Sequence, residues 1–120
     1  MYKLILHKSA NCGFDGYSSE NHERTFYSYE TPIYSIYKEC DGGTTSFRIR
    51  SINAPTHSTT TAKQTTWSLY EELLNNECAL YVRTLLQKCE SGNKIYVIRD
   101  IGLGVWCVFI GDKLTRTFNA

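Results

Sequence analysis

The amino-acid sequence predicts an α+β protein: a small antiparallel β-barrel or strongly curved sheet with one long helix packed on it. Short segments rich in β-branched and aromatic residues alternate with turn residues, as in consecutive antiparallel strands. One longer stretch after Ser58 has apolar residues at steps of three and four, which is the period of an amphipathic helix. Gly-containing connections at residues 41–44 and 101–104 have the composition of β-hairpin turns. We therefore expect strands, then one helix, then a closing hairpin.

The strand predictions rest on composition and on where the turns fall. β-Branched and aromatic residues predict strands at residues 2–7, 25–29, 33–39, 46–52, 94–100 and 105–110. Residues 11–23 are rich in Gly, Ser and Asn and are expected to form a loop. Residues 113–120 are too few for a further large element. The strands on either side of residues 41–44 should pair antiparallel.

The helix prediction runs from Ser58 to the Ser-Gly-Asn at residues 91–93. Ser58 and the threonines after it are N-cap candidates, and Ser-Gly-Asn favours a left-handed turn at the C-terminal end. One continuous apolar stripe consists of Trp67, Tyr70, Leu74, Cys78, Tyr81, Leu85 and Cys89. Asn75 and Asn76 could divide the stretch into two helices, but the apolar period continues across them. The stripe packs in the core or forms a homodimer seam through Tyr70, Leu74, Tyr81 and Leu85.

Composition and charge limit the function classes. A chain of 120 residues with 42% hydrophobic and 21% charged residues is ordinary for one globular domain. The net charge is +1 and there is no basic run, which disfavours a protein that holds nucleic acid mainly by non-specific charge. No apolar run approaches the length of a signal-peptide core or a membrane span. We expect a single domain, residues 1–120, with no membrane partner, in the cytoplasm or inside a host cell if the chain is viral.

The cysteines do not form a recognisable metal or disulfide pattern. They are an odd number, with no Cys-x-x-Cys pair and no His at ligand spacing, at Cys12, Cys40, Cys78, Cys89 and Cys107. Reduced cysteines behave as small apolar residues, and most are expected to be buried. The sequence therefore predicts no metal and no cofactor.

Four short motifs resemble the staphylococcal-nuclease family over roughly residues 33–114. They are Asp-Gly-x-Thr at 41–44, Phe-Arg at 47–48, Ile-Asn-Ala-Pro at 52–55, and the 100–110 hairpin followed by Gly-Asp-Lys-Leu. The resemblance implies an OB-fold barrel. Enzymes of this family cleave phosphodiesters with a calcium ion held by carboxylates, a Glu that positions water and two arginines that neutralise phosphate charge.

The chain departs from this family at the positions that carry the chemistry. Gly43 and Asn53 stand where the resemblance implies metal-binding aspartates, and Thr56 replaces the Glu. Gly104 falls where the second arginine is expected, so that Arg48 alone remains, with Asp100 as the acidic residue of the hairpin. Loss of a general base typically lowers a rate by about 10² to 10⁴. The resemblance therefore implies a non-catalytic relative of the nucleases.

What remains of this surface predicts a binding site rather than an active site. Strand alternation places Arg48 and Arg50 opposite Phe47 and Ile49, where they could meet an anion or simply be solvated. Aromatic residues between positions 26 and 37 could provide stacking surfaces beside them, or fill the wall of a barrel. The predicted ligand-binding residues are Arg48, Arg50, Asn53, Thr56, His57 and Asp100.

Three functional hypotheses follow. The first is a binding module that holds a nucleic acid, a nucleotide or another phosphate-bearing ligand on this face without cutting it. The second is a small interaction or inhibitor protein, viral or phage-encoded, that dimerises through the long helix and blocks a protein partner. The third is an enzyme, either a weak metal-dependent nuclease or one in which His57 acts as a base. We favour the first.

Overall fold

The computed structural model describes residues 12–14, 23–53, 58–88 and 94–119, which form seven strands and two helices. In chain order these are β1 (Cys12–Phe14), β2 (Arg24–Ser28), β3 (Thr31–Asp41), β4 (Thr44–Ser51), α1 (Thr59–Leu73), α2 (Asn76–Lys88), β5 (Lys94–Asp100), β6 (Val105–Ile110) and β7 (Lys113–Asn119). The predicted α+β class is confirmed. The strand expected at residues 2–7 lies outside the described residues.

The seven strands form one antiparallel sheet in sequence order, from β1 to β7. The two helices are inserted between β4 and β5, which are nevertheless neighbours in the sheet. Within the described part of the chain, β1 pairs only with β2 and β7 only with β6, so the sheet is open and the predicted closed barrel is not formed. Two strands differ from the prediction. β1 lies in the loop expected at residues 11–23, and β7 lies in residues 113–120, which were expected to be too few for a further large element.

The hairpin turns follow from glycine at positions that need a positive φ. Gly42, between the β3 residue Asp41 and its β4 partner Thr44, has φ of 64°. Gly111, after Ile110, has φ of 61° in the β6–β7 turn. A positive φ at the first of two central residues is the pattern of type II′ turns, whose twist matches that of paired strands. The turn predicted at residues 41–44 is confirmed.

The single long helix is not confirmed: the chain forms two helices that are separated at Leu74 and Asn75, next to the Asn75–Asn76 pair that allowed such a division. Leu74 has a left-handed backbone, with φ of 59° and ψ of 28°, and its N–H donates to the carbonyl of Tyr70 over 2.8 Å. The side chain of Asn75 then accepts a 2.9 Å hydrogen bond from the N–H of Cys78 and caps α2. The Ser58 cap of α1 is confirmed, since its hydroxyl accepts from the N–H of Thr61 over 3.1 Å. The end predicted at residues 91–93 lies outside the described residues.

Both helices cover the same face of the sheet. The buried residues between helices and sheet include Leu69, Leu73, Val82 and Leu86 from the helices and Phe47, Ile49, Ile95, Val97 and Val108 from the sheet. Near β2 and β3 the interface is polar: Ser28 hydrogen-bonds Thr61 and Gln64, and Tyr34 bonds Ser68 over 2.7 Å. The opposite face of the sheet, called the outer face below, carries the candidate site.

Neither of the two described helices is long and apolar enough to span a lipid bilayer.

Candidate functional site

The two arginines of β4, Arg48 and Arg50, lie on the outer face. Phe47, Ile49 and Ser51 are buried, whereas Arg48 and Arg50 between them are exposed, as period-two alternation predicts. Their side chains are 61% and 49% exposed. The two guanidinium groups therefore lie on one surface, two residues apart along one strand.

Aromatic side chains flank Arg48 on the neighbouring strands. Strand register pairs Arg48 with Tyr37 of β3 on one side and with Tyr96 of β5 on the other. Tyr96 in turn pairs with Phe109 of β6. These four residues, Tyr37, Arg48, Tyr96 and Phe109, are called the aromatic row. Neighbouring strands lie about 4.8 Å apart, so the row crosses four strands in roughly 15 Å.

Only part of this row was predicted. Tyr37 belongs to the aromatic segment considered as a stacking surface, but Tyr96 and Phe109 were not singled out. The sequence signal that could have identified them is their alternation with Val97 and Val108, which are buried in the β5–β6 hairpin. Their position beside Arg48 depends on the register between β4 and β5, which lie far apart in sequence.

Arg48 is held by weak, solvent-exposed contacts. Its guanidinium carbon lies 5.0 Å from the ring centre of Tyr37, a cation–π distance. One of its nitrogens lies 3.8 Å from a carboxylate oxygen of Glu39, which also accepts a 3.3 Å hydrogen bond from the Tyr37 hydroxyl. Exposed ion pairs of this kind contribute about 0–1 kcal/mol. A bound phosphate could replace Glu39 at little cost.

Two further cations form a second row beside the first. Arg50 pairs with Lys94 across β4 and β5, and both are exposed. A guanidinium nitrogen of Arg50 lies 3.5 Å from a carboxylate oxygen of Glu23. Residues two apart along a strand are separated by roughly 7 Å. The outer face thus places three cations, Arg48, Arg50 and Lys94, within the span of one nucleotide.

Two cavities open along the aromatic row and share Arg48 and Tyr96. One has a volume of about 360 Å³ and is lined by Glu23, Ser35, Tyr37, Arg48, Ile49, Arg50, Lys94 and Tyr96. The other has a volume of about 500 Å³ and is lined by Ser46, Arg48, Tyr96, Ile98, Phe109, Gly111 and Asp112. The first is rich in cations and the second in apolar and aromatic side chains.

The structure does not bring all predicted ligand-binding residues together. Asp100 pairs with Thr44 at the start of β4, whereas Asn53 follows the end of this strand. At about 3.3 Å per residue, the length of β4 separates the two by more than about 20 Å. The Asn53 amide donates to the carbonyl of Pro32 over 2.7 Å, and an Asp100 carboxylate oxygen accepts from the N–H of Leu103 over 3.1 Å. Both therefore have local structural contacts.

Thr56 and His57, the remaining predicted ligand-binding residues, lie outside the described residues.

The described residues do not fit the calcium site that the nuclease resemblance would imply. Within them, no group of three His, Cys, Asp or Glu side chains is arranged to hold a metal ion. Gly43 offers no side chain, and the amide of Asn53 already contacts Pro32. Calcium prefers several carboxylate oxygens, and neither Gly43 nor Asn53 supplies one.

The predicted dimer seam is largely engaged in internal packing. Tyr70, Tyr81 and Leu85 are partly buried against the core, and the ring of Tyr81 lies 5.6 Å from that of Phe118. Leu74 is 60% exposed because the helix ends there. Dimerisation through these residues stays a prediction.

The described cysteines also differ in environment. Cys40 is exposed, Cys12 and Cys107 are half-buried, and Cys78 is buried in the core. Burial, with a smaller contribution from Cys107, raises the pKa of the Cys78 thiol to about 12. A thiol that stays protonated at neutral pH is a poor nucleophile, so Cys78 is a packing residue.

Comparisons with protein-family models, with curated proteins and with solved structures find no match to this chain. The resemblance to the staphylococcal-nuclease family therefore stays a prediction.

Proposed function

We propose that this protein binds single-stranded nucleic acid or nucleotides on the outer face of its sheet, without cutting them. The observation that carries the proposal is the aromatic row, in which Arg48 lies between Tyr37 and Tyr96, with Phe109 beyond. Arg50 and Lys94 lie one row away. Aromatic rings beside cations on an open sheet face are a combination by which proteins bind single-stranded nucleic acids.

Each part of the face would contribute a distinct interaction. Stacking of a base on an aromatic side chain is worth about 1–3 kcal/mol and tolerates any base. Tyr96 and Phe109 line the more apolar cavity and would stack bases. Arg48, Arg50 and Lys94 would contact phosphates, since an arginine can donate two parallel hydrogen bonds to phosphate oxygens.

The even charge balance of the chain favours weak and selective binding over tight coating of nucleic acid. Glu39 and Glu23 accompany the two arginines and must be displaced by a phosphate. With three phosphate contacts on a single strand, the logarithm of the affinity should fall with the logarithm of salt concentration with a slope of about −2. The part of the affinity that does not depend on salt would come from stacking of bases on the aromatic side chains.

The test is fluorescence anisotropy of labelled single-stranded RNA and DNA octamers at two salt concentrations. We expect salt-dependent binding, weakened in Arg48→Ala and Arg50→Ala, with a salt slope reduced by about 0.7 for each arginine removed. Arg116→Ala is the matched control, because this arginine lies over the rings of Tyr81 and Phe118 on the edge strand β7. Circular dichroism would check that each variant folds.

Absence of binding at low salt, or binding unchanged in Arg48→Ala, would overturn the proposal. Light scattering of the same samples tests the alternative of a homodimer that blocks a protein partner. A dimer of twice 13.8 kDa that binds no nucleic acid would favour this second hypothesis.

A further inference from the structure

The larger cavity on the outer face is lined by the carboxylate of Asp112, which is exposed to solvent and has no ion-pair or hydrogen-bond partner among the described residues. This cavity, of about 500 Å³, is open to solvent, and its lining includes Tyr96, Phe109 and Asp112. Asp112 occupies the β6–β7 turn, directly after Gly111 with its φ of 61°. The pairing of Ile110 with Lys113 fixes the turn that carries it.

Asp112 differs from the other acidic residues near this face. Glu23 and Glu39 each lie against an arginine. Among the described residues, the side chain of Asp112 has no hydrogen-bond or ion-pair partner. A carboxylate repels a phosphate, so a nucleotide whose base stacks on Tyr96 or Phe109 would meet Asp112 with donor groups of the base.

We propose that this cavity selects guanine, with Asp112 as the specificity-determining residue; this inference rests on the proposed function. The Watson–Crick edge of guanine presents two adjacent donors, N1–H and the N2 amino group, and the two oxygens of a carboxylate can accept both. Adenine and cytosine present one amino donor beside a ring-nitrogen acceptor. Uracil and thymine present one N–H between two carbonyls, which would face the carboxylate unfavourably.

The position of Arg48 agrees with this assignment. Arg48 lines both cavities, so it can contact the phosphate of a nucleotide whose base occupies the apolar cavity. Its positive charge also offsets the repulsion between the phosphate and Asp112. One nucleotide would thus contact a cation, an aromatic ring and a carboxylate.

The test is competition by mononucleotides against a labelled single-stranded RNA octamer of mixed sequence, using the full chain. GMP should compete about tenfold better than AMP, CMP or UMP, since hydrogen bonds to a charged group are the stronger kind. IMP, which keeps N1–H but lacks the N2 amino group, should fall between GMP and AMP. Asp112→Asn should remove the preference for GMP, because an amide has one acceptor oxygen instead of two. Asp41→Asn, in the β3–β4 hairpin, is the matched control and should retain it.

The outcomes separate this inference from the proposed function. Equal competition by all four mononucleotides, with octamer binding still weakened in Arg48→Ala, would overturn guanine selection alone. A GMP preference that persists in Asp112→Asn would also overturn it. No binding of the octamer would overturn the proposed function and the guanine site together.

Discussion

The break between the two helices is stabilised by two side chains from the sheet, and this arrangement can be tested quantitatively. The carbonyl of Leu73, at the end of α1, accepts a 2.8 Å hydrogen bond from the indole N–H of Trp106 and a 3.1 Å bond from the guanidinium of Arg99. Arg99 is only 7% exposed, and its guanidinium carbon lies 5.3 Å from the ring centre of Phe47. A buried cation at a helix C-terminus interacts favourably with the helix dipole.

The two donors act on one acceptor, so their losses should not be additive. Trp106→Phe removes one hydrogen bond but leaves the Leu73 carbonyl bonded to Arg99, and should lower the free energy of unfolding by about 1 kcal/mol. Arg99→Met keeps the aliphatic stem and should lower it by about 2 kcal/mol, since hydrogen bonds to the carbonyls of Leu73 (3.1 Å) and Glu72 (3.4 Å) are lost while the desolvation of a charge is relieved. The double variant leaves a buried carbonyl without either donor, which adds about 1–2 kcal/mol.

Urea unfolding of the parent chain, both single variants and the double variant measures this coupling directly. Thermal unfolding gives a second measure, at roughly 3–5 °C for each kcal/mol in a domain of this size. Losses that add within about 0.3 kcal/mol would show that the shared carbonyl is unimportant and refute the reasoning.

Four further predictions concern the β2–β3 turn at Tyr29 and Glu30, the cap of α2, and the thiols of Cys40 and Cys78. Tyr29 has φ of 58°, which glycine adopts without strain, so Tyr29→Gly should raise the free energy of unfolding by about 1 kcal/mol. Glu30→Gly should instead lower the free energy of unfolding. Urea midpoints that shift the other way would contradict this prediction. Asn75→Ala should lower the free energy of unfolding by about 1 kcal/mol because α2 loses its N-cap. An unchanged urea midpoint would show that the cap is dispensable. Maleimide should label Cys40 readily and Cys78 only on unfolding, as read by mass spectrometry of digested peptides. Between pH 9.0 and about 12 the unfolded Cys78 thiol loses its proton while the folded one keeps it. Stability should therefore fall as pH rises in this range, by up to about 1.4 kcal/mol per pH unit, and Cys78→Ala should reduce the loss seen in thermal melts.

Local rules were enough for the hairpins and for the face on which the arginines lie. Gly42 requires only its own backbone freedom to make the β3–β4 turn, and β4 alternation alone places Arg48 opposite Phe47. Asn75 and Asn76 indicated where the helix could break, but the apolar period that continues through Leu74 favoured one helix. The end of α1 is stabilised by hydrogen bonds to its last carbonyls from Arg99 and Trp106, which are distant in sequence.

The residues of the candidate site also differ in whether local rules could identify them. Arg48 and Arg50 were found from alternation within one strand. Tyr96 was not connected to them, because its position depends on β4 and β5 pairing across an insertion of two helices. Asn53 was selected by its place in a motif, and the structure uses its amide to bond Pro32 instead. Motif position indicated a residue type, whereas register decided which side chains share a surface.

The outer face is more apolar than a merely solvated sheet face needs to be. An antiparallel sheet with helices on one side normally exposes polar residues on the other. Here Ile98 is 37% exposed and Leu114, the register partner of Phe109, is 49% exposed. Together with Tyr96 they extend the aromatic row into an apolar patch bordered by Arg48. Such a patch lowers solubility without adding to the core, and it lies beside Arg48 and Asp112 on the surface where we propose that a nucleotide binds.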